Sequence, residues 1–132
     1  MAKSTTFHFL YYWLPVVVFC ALLFAQSSFS TPKVMPAYPH MDKLLHLVAY
    51  SILGALFLRG FSNSKYKNHG WLIRIASIFL TGIYGATDEL HQYYVPFRSA
   101  DTWDVTCDFL GGFIGVCLYQ VMVQKYPKLR PI

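Results

Sequence analysis

Six acids carry most of the chemistry available to this chain, and they are crowded into a few places. Asp42 stands alone in the first half, while Asp88, Glu89, Asp101, Asp104 and Asp108 fall within twenty-one residues of one another. Lys43, His46, Tyr50, His91, Gln92 and Arg98 lie among them. Three kinds of chemistry suit such a set. His46, His91, Asp88, Asp104 and Asp108 offer the nitrogen and oxygen ligands of a divalent metal such as Zn, Mn or Mg. Clustered carboxylates raise one another's pKa and histidine titrates near neutrality, which suits acid–base work. Lys43, Arg98 and helix ends suit recognition of a phosphate or sugar headgroup. Against these stands a purely structural network, in which the same groups pair with each other and cap helices. No H-x-x-x-H pair singles out the metal, and nothing in the spacing names a reaction or establishes that the protein is an enzyme.

The elements that position these residues are apolar. The chain has 132 residues, enough for one domain, of which 55% are hydrophobic and 13% charged. A typical soluble domain carries about 25% charged residues. A soluble chain of this size cannot hide so much apolar surface, because small domains bury the smallest fraction of it. Lipid is therefore the expected solvent, and the net charge of +5 reports membrane orientation instead of nucleic-acid binding. No glycine-rich phosphate loop, zinc-type cysteine spacing or basic–aromatic pattern is present. Cys20, Cys107 and Cys117 lie in or beside apolar runs. Ten residues along one helix separate Cys107 from Cys117 by about 15 Å, too far for a disulfide. They read as packing residues.

Four spans are expected, near residues 7–26, 42–61, 71–91 and 104–124. Phe9 to Phe24 is apolar throughout, with Pro15 inside. A cleaved signal peptide is the competing reading of this first run, but its positive region is only Lys3 and no A-x-A site follows. Pro32, Pro36 and Pro39 make the next stretch an extended linker. The three later apolar runs, Leu44 to Leu58, Ile75 to Thr87 and Phe109 to Gln124, hold fifteen, thirteen and sixteen residues. A membrane helix needs about 20. Each reaches that length only by absorbing polar residues: Asp42, Lys43 and His46; Asp88, Glu89 and His91; Asp104 and Asp108. Ionisable groups at membrane depth are costly and face a bundle interior or a wet cavity. That cost is the main sequence argument for a site.

Charge fixes the expected topology. Lys3, Arg59, Lys65, Lys67, Arg74, Lys125, Lys128 and Arg130 fall on one side with no acid. Lys33, Lys43 and Arg98 fall on the other side with all six acids. Short cytoplasmic loops are enriched in Lys and Arg. The fold class is thus an all-α membrane protein, a bundle of four transmembrane helices with both termini cytoplasmic and the acids outside. Asp42, His46 and Tyr50 recur every fourth residue and share a helix face; so do Asp88 and Gln92, while Glu89 points elsewhere. Ser99 or Asp101 is placed to cap the fourth helix. Gly111 and Gly115 form a small-xxx-small pair that should bring the fourth helix close to the third.

The order of these motifs resembles that of VanZ-like membrane proteins. Asp42-Lys43-x-x-His46-x-x-x-Tyr50 is similar to their opening motif. Asp88-Glu89-Leu90-His91-Gln92, followed by Pro96-Phe97-Arg98-Ser99, looks like their central D-E-x-x-Q…R-S signature. Asp104-x-x-x-Asp108-x-x-Gly111-x-x-x-Gly115 resembles their closing D-x-x-x-N-x-x-G-x-x-x-G, with Asp108 where the family usually has Asn. The resemblance runs from about the first helix to Gly115. It implies a multi-pass protein of the bacterial inner membrane with a role in the cell envelope. The family's namesake is associated with low-level resistance to the glycopeptide teicoplanin. The expected partners are membrane lipids or a lipid-linked glycan, and not nucleic acid.

Overall fold

The computed structural model describes residues 5–29 and 40–126. Lys3, the proline-bearing linker with Lys33, and Lys128 and Arg130 of the tail lie outside the described residues. Four helices follow in order: α1 (Thr5–Ser28), α2 (Met41–Phe61), α3 (Gly70–Tyr93) and α4 (Thr102–Lys125). Each extends the expected span by one or two residues at one or both ends. In hydrocarbon every backbone N–H and C=O must find a partner inside its own segment, and a continuous helix achieves this. All four helices are long and apolar enough to cross a membrane. The protein is an all-α, four-span membrane protein.

Large apolar side chains point outward from every helix, among them Leu22, Val48, Phe79, Ile83, Leu118 and Val121. Exposed aromatics gather at the two ends: Phe29, Tyr93, Tyr94, Phe97 and Trp103 at one, Trp71 and Tyr126 at the other. Such rings sit well at headgroup level, with an apolar body and, in Tyr and Trp, a polar tip. The helices alternate in direction. The end of α1, the start of α2, the end of α3 and the start of α4 therefore share one end of the bundle, and all six acids lie there.

Helix α4 runs between α2 and α3. Its contact with α2 is made by glycines against backbone. A Cβ on Gly111 would lie 2.7 Å from the Leu47 carbonyl oxygen, and one on Gly54 would lie 2.6 Å from that of Gly112. A Cβ on Gly115 would fall on the Ser51 carbonyl. The small-xxx-small pair thus faces α2, where the sequence reading had α3. The neighbouring Gly112 is the residue that turns to α3, against Thr81. From the α3 side, Gly82 accommodates Phe109 and Gly85 accommodates the Asp108 side chain.

Helix α1 packs differently. Among the described residues its backbone packs close to α2 and α3 and not to α4. Only 6% of its membrane-crossing window is buried, against 28% for each of the other three. Val16 joins Tyr50 and Leu53 in a small core. Trp13 lies over Gly60 and meets Phe61 edge to face at 5.1 Å. The Tyr84 hydroxyl donates to the Cys20 carbonyl.

Candidate functional site

At the acidic end, α2 enters with Lys43 and His46 on the side facing α4. The Lys43 ammonium lies 2.8 Å from Asp101 Oδ2, 3.2 Å from Asp104 Oδ1 and 3.4 Å from Asp42 Oδ2. One turn deeper, His46 Nδ1 is 2.9 Å from Asp108 Oδ1, and Nε2 is 3.6 Å from Glu89 Oε1. His46 therefore bridges α3 and α4. Its ring stacks parallel on that of Tyr50 one turn further on, with centroids 5.6 Å apart. Asp88, Glu89, Asp104 and Asp108 are all buried, Asp108 completely.

The start of α4 is built around Asp101. Its extended backbone places the side chain to accept from Trp103 N–H at 2.9 Å, capping the helix. Its own N–H donates to Glu89 Oε2 at 2.8 Å, and its other carboxylate oxygen takes Lys43. The Lys43 ammonium holds the Asp101 carboxyl below the usual carboxylate range. The cap was legible in the sequence; the links to Glu89 and Lys43 were not, because they depend on where α2 and α3 stand.

Asp88 and Glu89 diverge, as their helix positions require. Glu89 turns to His46 and Asp101. Asp88 turns to Gln92, whose amide donates to its Oδ2 at 3.1 Å. A cavity of about 410 Å³ opens beside Asp88. Leu23 of α1 and Leu45 and Ala49 of α2 form its apolar wall. Asp42, His46 and Tyr50, the three residues spaced every fourth position, all reach it, as do Gln26, Asp88 and Arg98. Among the described residues, several buried oxygens at this end make no well-formed hydrogen bond: Tyr50 OH and Asp88 Oδ1, whose side chains interact with each other, and Glu89 Oε1 and Asp108 Oδ2.

Two expected members of the cluster stand apart from it. Among the described residues, Arg98 donates to the carbonyls of Phe29 at 3.2 Å and Gln26 at 3.0 Å, closing the end of α1 instead of pairing with an acid. Its loop carries Phe97 at φ 66, a conformation that non-glycine residues rarely adopt. His91 also faces α1: Nε2 lies 3.0 Å from Ser28 Oγ, and the ring packs against Phe24. Ser28, Gln26 and Tyr84 belong to this seam. Ser28 lies in the Ser27-Ser28 exit from the first span, which also fits the family pattern; no charge or spacing marked Gln26 and Tyr84, which act through a backbone carbonyl and a single hydroxyl.

A bundle of four helices able to cross a membrane, with a buried knot of acids, one histidine and one lysine at one end, defines the class: a small multi-pass membrane protein with a polar cluster at one end of its bundle. A family model described as VanZ/LLP1 matches residues 2–123, and the chain belongs to that family. No curated protein and no solved structure matches it.

Proposed function

We propose that this protein sits in the bacterial cytoplasmic membrane, with both termini inside, and binds the polar headgroup of an envelope lipid or lipid-linked glycan at its outward end. The observation that carries this reading is the cavity between α1 and α2. Its apolar wall continues the lipid-facing surface, and its floor is polar. Tyr50 OH and Asp88 Oδ1 are buried beside it; the two side chains interact with each other, and neither atom makes a well-formed hydrogen bond to any other described residue. Buried polar atoms are nearly always well partnered, so atoms beside a cavity that are not mark where a ligand's hydroxyls would dock. Whether the headgroup is also processed is a further step, for which His46 and Glu89 are the acid–base candidates. Binding is tested by identifying the lipids that stay with the detergent-purified protein. Tyr50→Phe and Asp88→Asn should lose a lipid that the unsubstituted protein keeps, with melting temperature unchanged. Retention of the same lipid by both variants would sink the reading.

Orientation has its own test. In a chain freed of its native cysteines, a membrane-impermeant thiol reagent applied to intact cells should label Phe97→Cys and not Tyr66→Cys. An envelope role also predicts that deletion or Asp88→Asn changes sensitivity to glycopeptide antibiotics, a link that rests on the family alone.

A second reading is favoured by the ion pairs themselves. His46 and Lys43 tie α2 to both α3 and α4. In that reading the protein is a non-enzymatic accessory component of the membrane and the cluster holds its helices together. Loss of one partner from a buried ion pair costs roughly 3–5 kcal/mol. His46→Ala and Asp104→Asn would then unfold the protein without any specific lipid having been bound.

A further inference from the structure

We propose that His46 Nε2, Glu89 Oε1 and a carboxylate oxygen of Asp104 bind one divalent transition-metal ion. His46 of α2, Glu89 of α3 and Asp104 of α4 each offer a ligand atom within 4.8 Å of the others. His46 Nε2 and Glu89 Oε1 are 3.6 Å apart. A tetrahedral site with metal–ligand bonds of about 2.0–2.1 Å has edges of about 3.4 Å, so a small closure brings both onto one ion.

An acidic cluster alone would not carry this inference. The second observation is Glu89. Its side chain is 6% exposed, its Oε2 is satisfied by the Asp101 N–H, and its Oε1 faces His46 with no hydrogen-bond partner. A carboxylate that anchors one oxygen on backbone and leaves the other bare and buried is arranged as a ligand. The third observation is Asp108. It holds His46 Nδ1 at 2.9 Å, which leaves Nε2 as the free donor. Metal-binding histidines characteristically give their second ring nitrogen to a carboxylate or carbonyl, which fixes the tautomer and the ring.

Charge points the same way. Four carboxylates are buried at this end, and Lys43 serves Asp104 together with the more exposed Asp42 and Asp101. That leaves Asp88, Glu89 and Asp108 with only His46 between them among the described residues. Three buried carboxylates with one imidazolium sum to −2, whereas with a divalent ion and a neutral imidazole they sum to −1, so the ion reduces the imbalance. One nitrogen and two oxygens suit Zn²⁺ or Mn²⁺; Ca²⁺ takes six to eight oxygens, and Cu⁺ takes sulfur. His46 borders both the cavity and this ligand set, while Glu89 and Asp104 do not line the cavity, so the metal site stands beside the proposed headgroup site and does not depend on it.

The test uses the full chain in detergent, stripped with chelator and titrated calorimetrically with Zn²⁺ or Mn²⁺ alone. One ion should bind per chain. Glu89→Gln and His46→Ala should lose it, Asp108→Ala should weaken it by about 10- to 100-fold, and His91→Ala should keep it. No stoichiometric uptake by the unsubstituted protein, or equal uptake by Glu89→Gln, overturns the proposal. If the variants fail to fold, Mn²⁺ bound to the unsubstituted protein still decides it. Pulsed EPR should show coupling to an imidazole ¹⁴N, and its absence overturns the site. Metal uptake without a retained lipid would sink the headgroup reading and leave the metal site standing. A retained lipid without metal uptake would do the reverse.

Discussion

The two helix seams of this protein are built from opposite materials. Between α2 and α4, Gly54, Gly111, Gly112 and Gly115 bring backbone against backbone, and the separation cannot change without moving a whole helix. Between α1 and its neighbours, large side chains such as Trp13, Val16 and Phe24 meet partners that can shift by a rotamer, and hydrogen bonds close the outer end. The first seam sets the distance from His46 to Asp108 and hence the geometry of the cluster. The second borders the cavity and tolerates adjustment. Rigidity is placed where charges must be held, and compliance beside the cavity.

The comparison breaks most sharply at Gly115. Its Cβ would fall on the Ser51 carbonyl, so Gly115→Leu should separate α2 from α4 and cost more than about 3 kcal/mol, beyond the usual range for overpacking. Thermal denaturation in detergent reads this, and an unchanged melting temperature would show that the seam is not rigid. On the other side, Arg98→Ala should cost about 1–2 kcal/mol through two lost hydrogen bonds to carbonyls. Hydrogen exchange should quicken near Phe24 to Ser28 and stay unchanged in α2 and α4; quickening throughout the bundle would mean that Arg98 holds the whole fold. Val16→Ala should cost about 1 kcal/mol, a packing loss that the seam can partly absorb. Asp101→Asn should change least, because asparagine caps a helix as well as aspartate does. Its effect has a sign in pH. The native Asp101 carboxyl is held below its usual range, so its pairing with Lys43 contributes above the unfolded pKa of about 3.9 and is lost as pH falls below it. Unfolding followed from pH 6 to pH 3 should therefore show a steeper loss in the unsubstituted protein than in Asp101→Asn.

The spans and the acidic end were legible because both follow from one-dimensional rules. Hydrocarbon thickness fixes helix length, and the expense of charge at depth pushed Asp42, Asp88, Glu89, Asp104 and Asp108 to shared helix ends. Helical spacing also separated Asp88 from Glu89 correctly. What failed was azimuth. Gly111 and Gly115 announce a close approach but not the partner, and only the position of α4 between two helices sends one glycine face to α2 and Gly112 to α3. Arg98 and His91 failed for a related reason. Nearby acids suggested ion pairs, while the open carbonyls at the end of α1 and the Ser28 hydroxyl carry no formal charge and leave no trace in a charge count.

The bridge made by His46 also has a consequence for biogenesis. Its helix leaves the ribosome before those of its two acidic partners. Glu89 follows on α3, and Asp101, which caps α4, and Asp104 and Asp108 within it come last. Each acid-bearing segment thus enters the membrane when the base that will receive it is already there, and α3 carries its buried carboxylates incompletely matched until α4 arrives. We predict that a chain stopped after α3 remains at the insertion machinery or is degraded, while the full chain is released into lipid. Pulse-labelled translation intermediates would measure this, and equal membrane release of the two lengths would show that α3 needs no partner to enter.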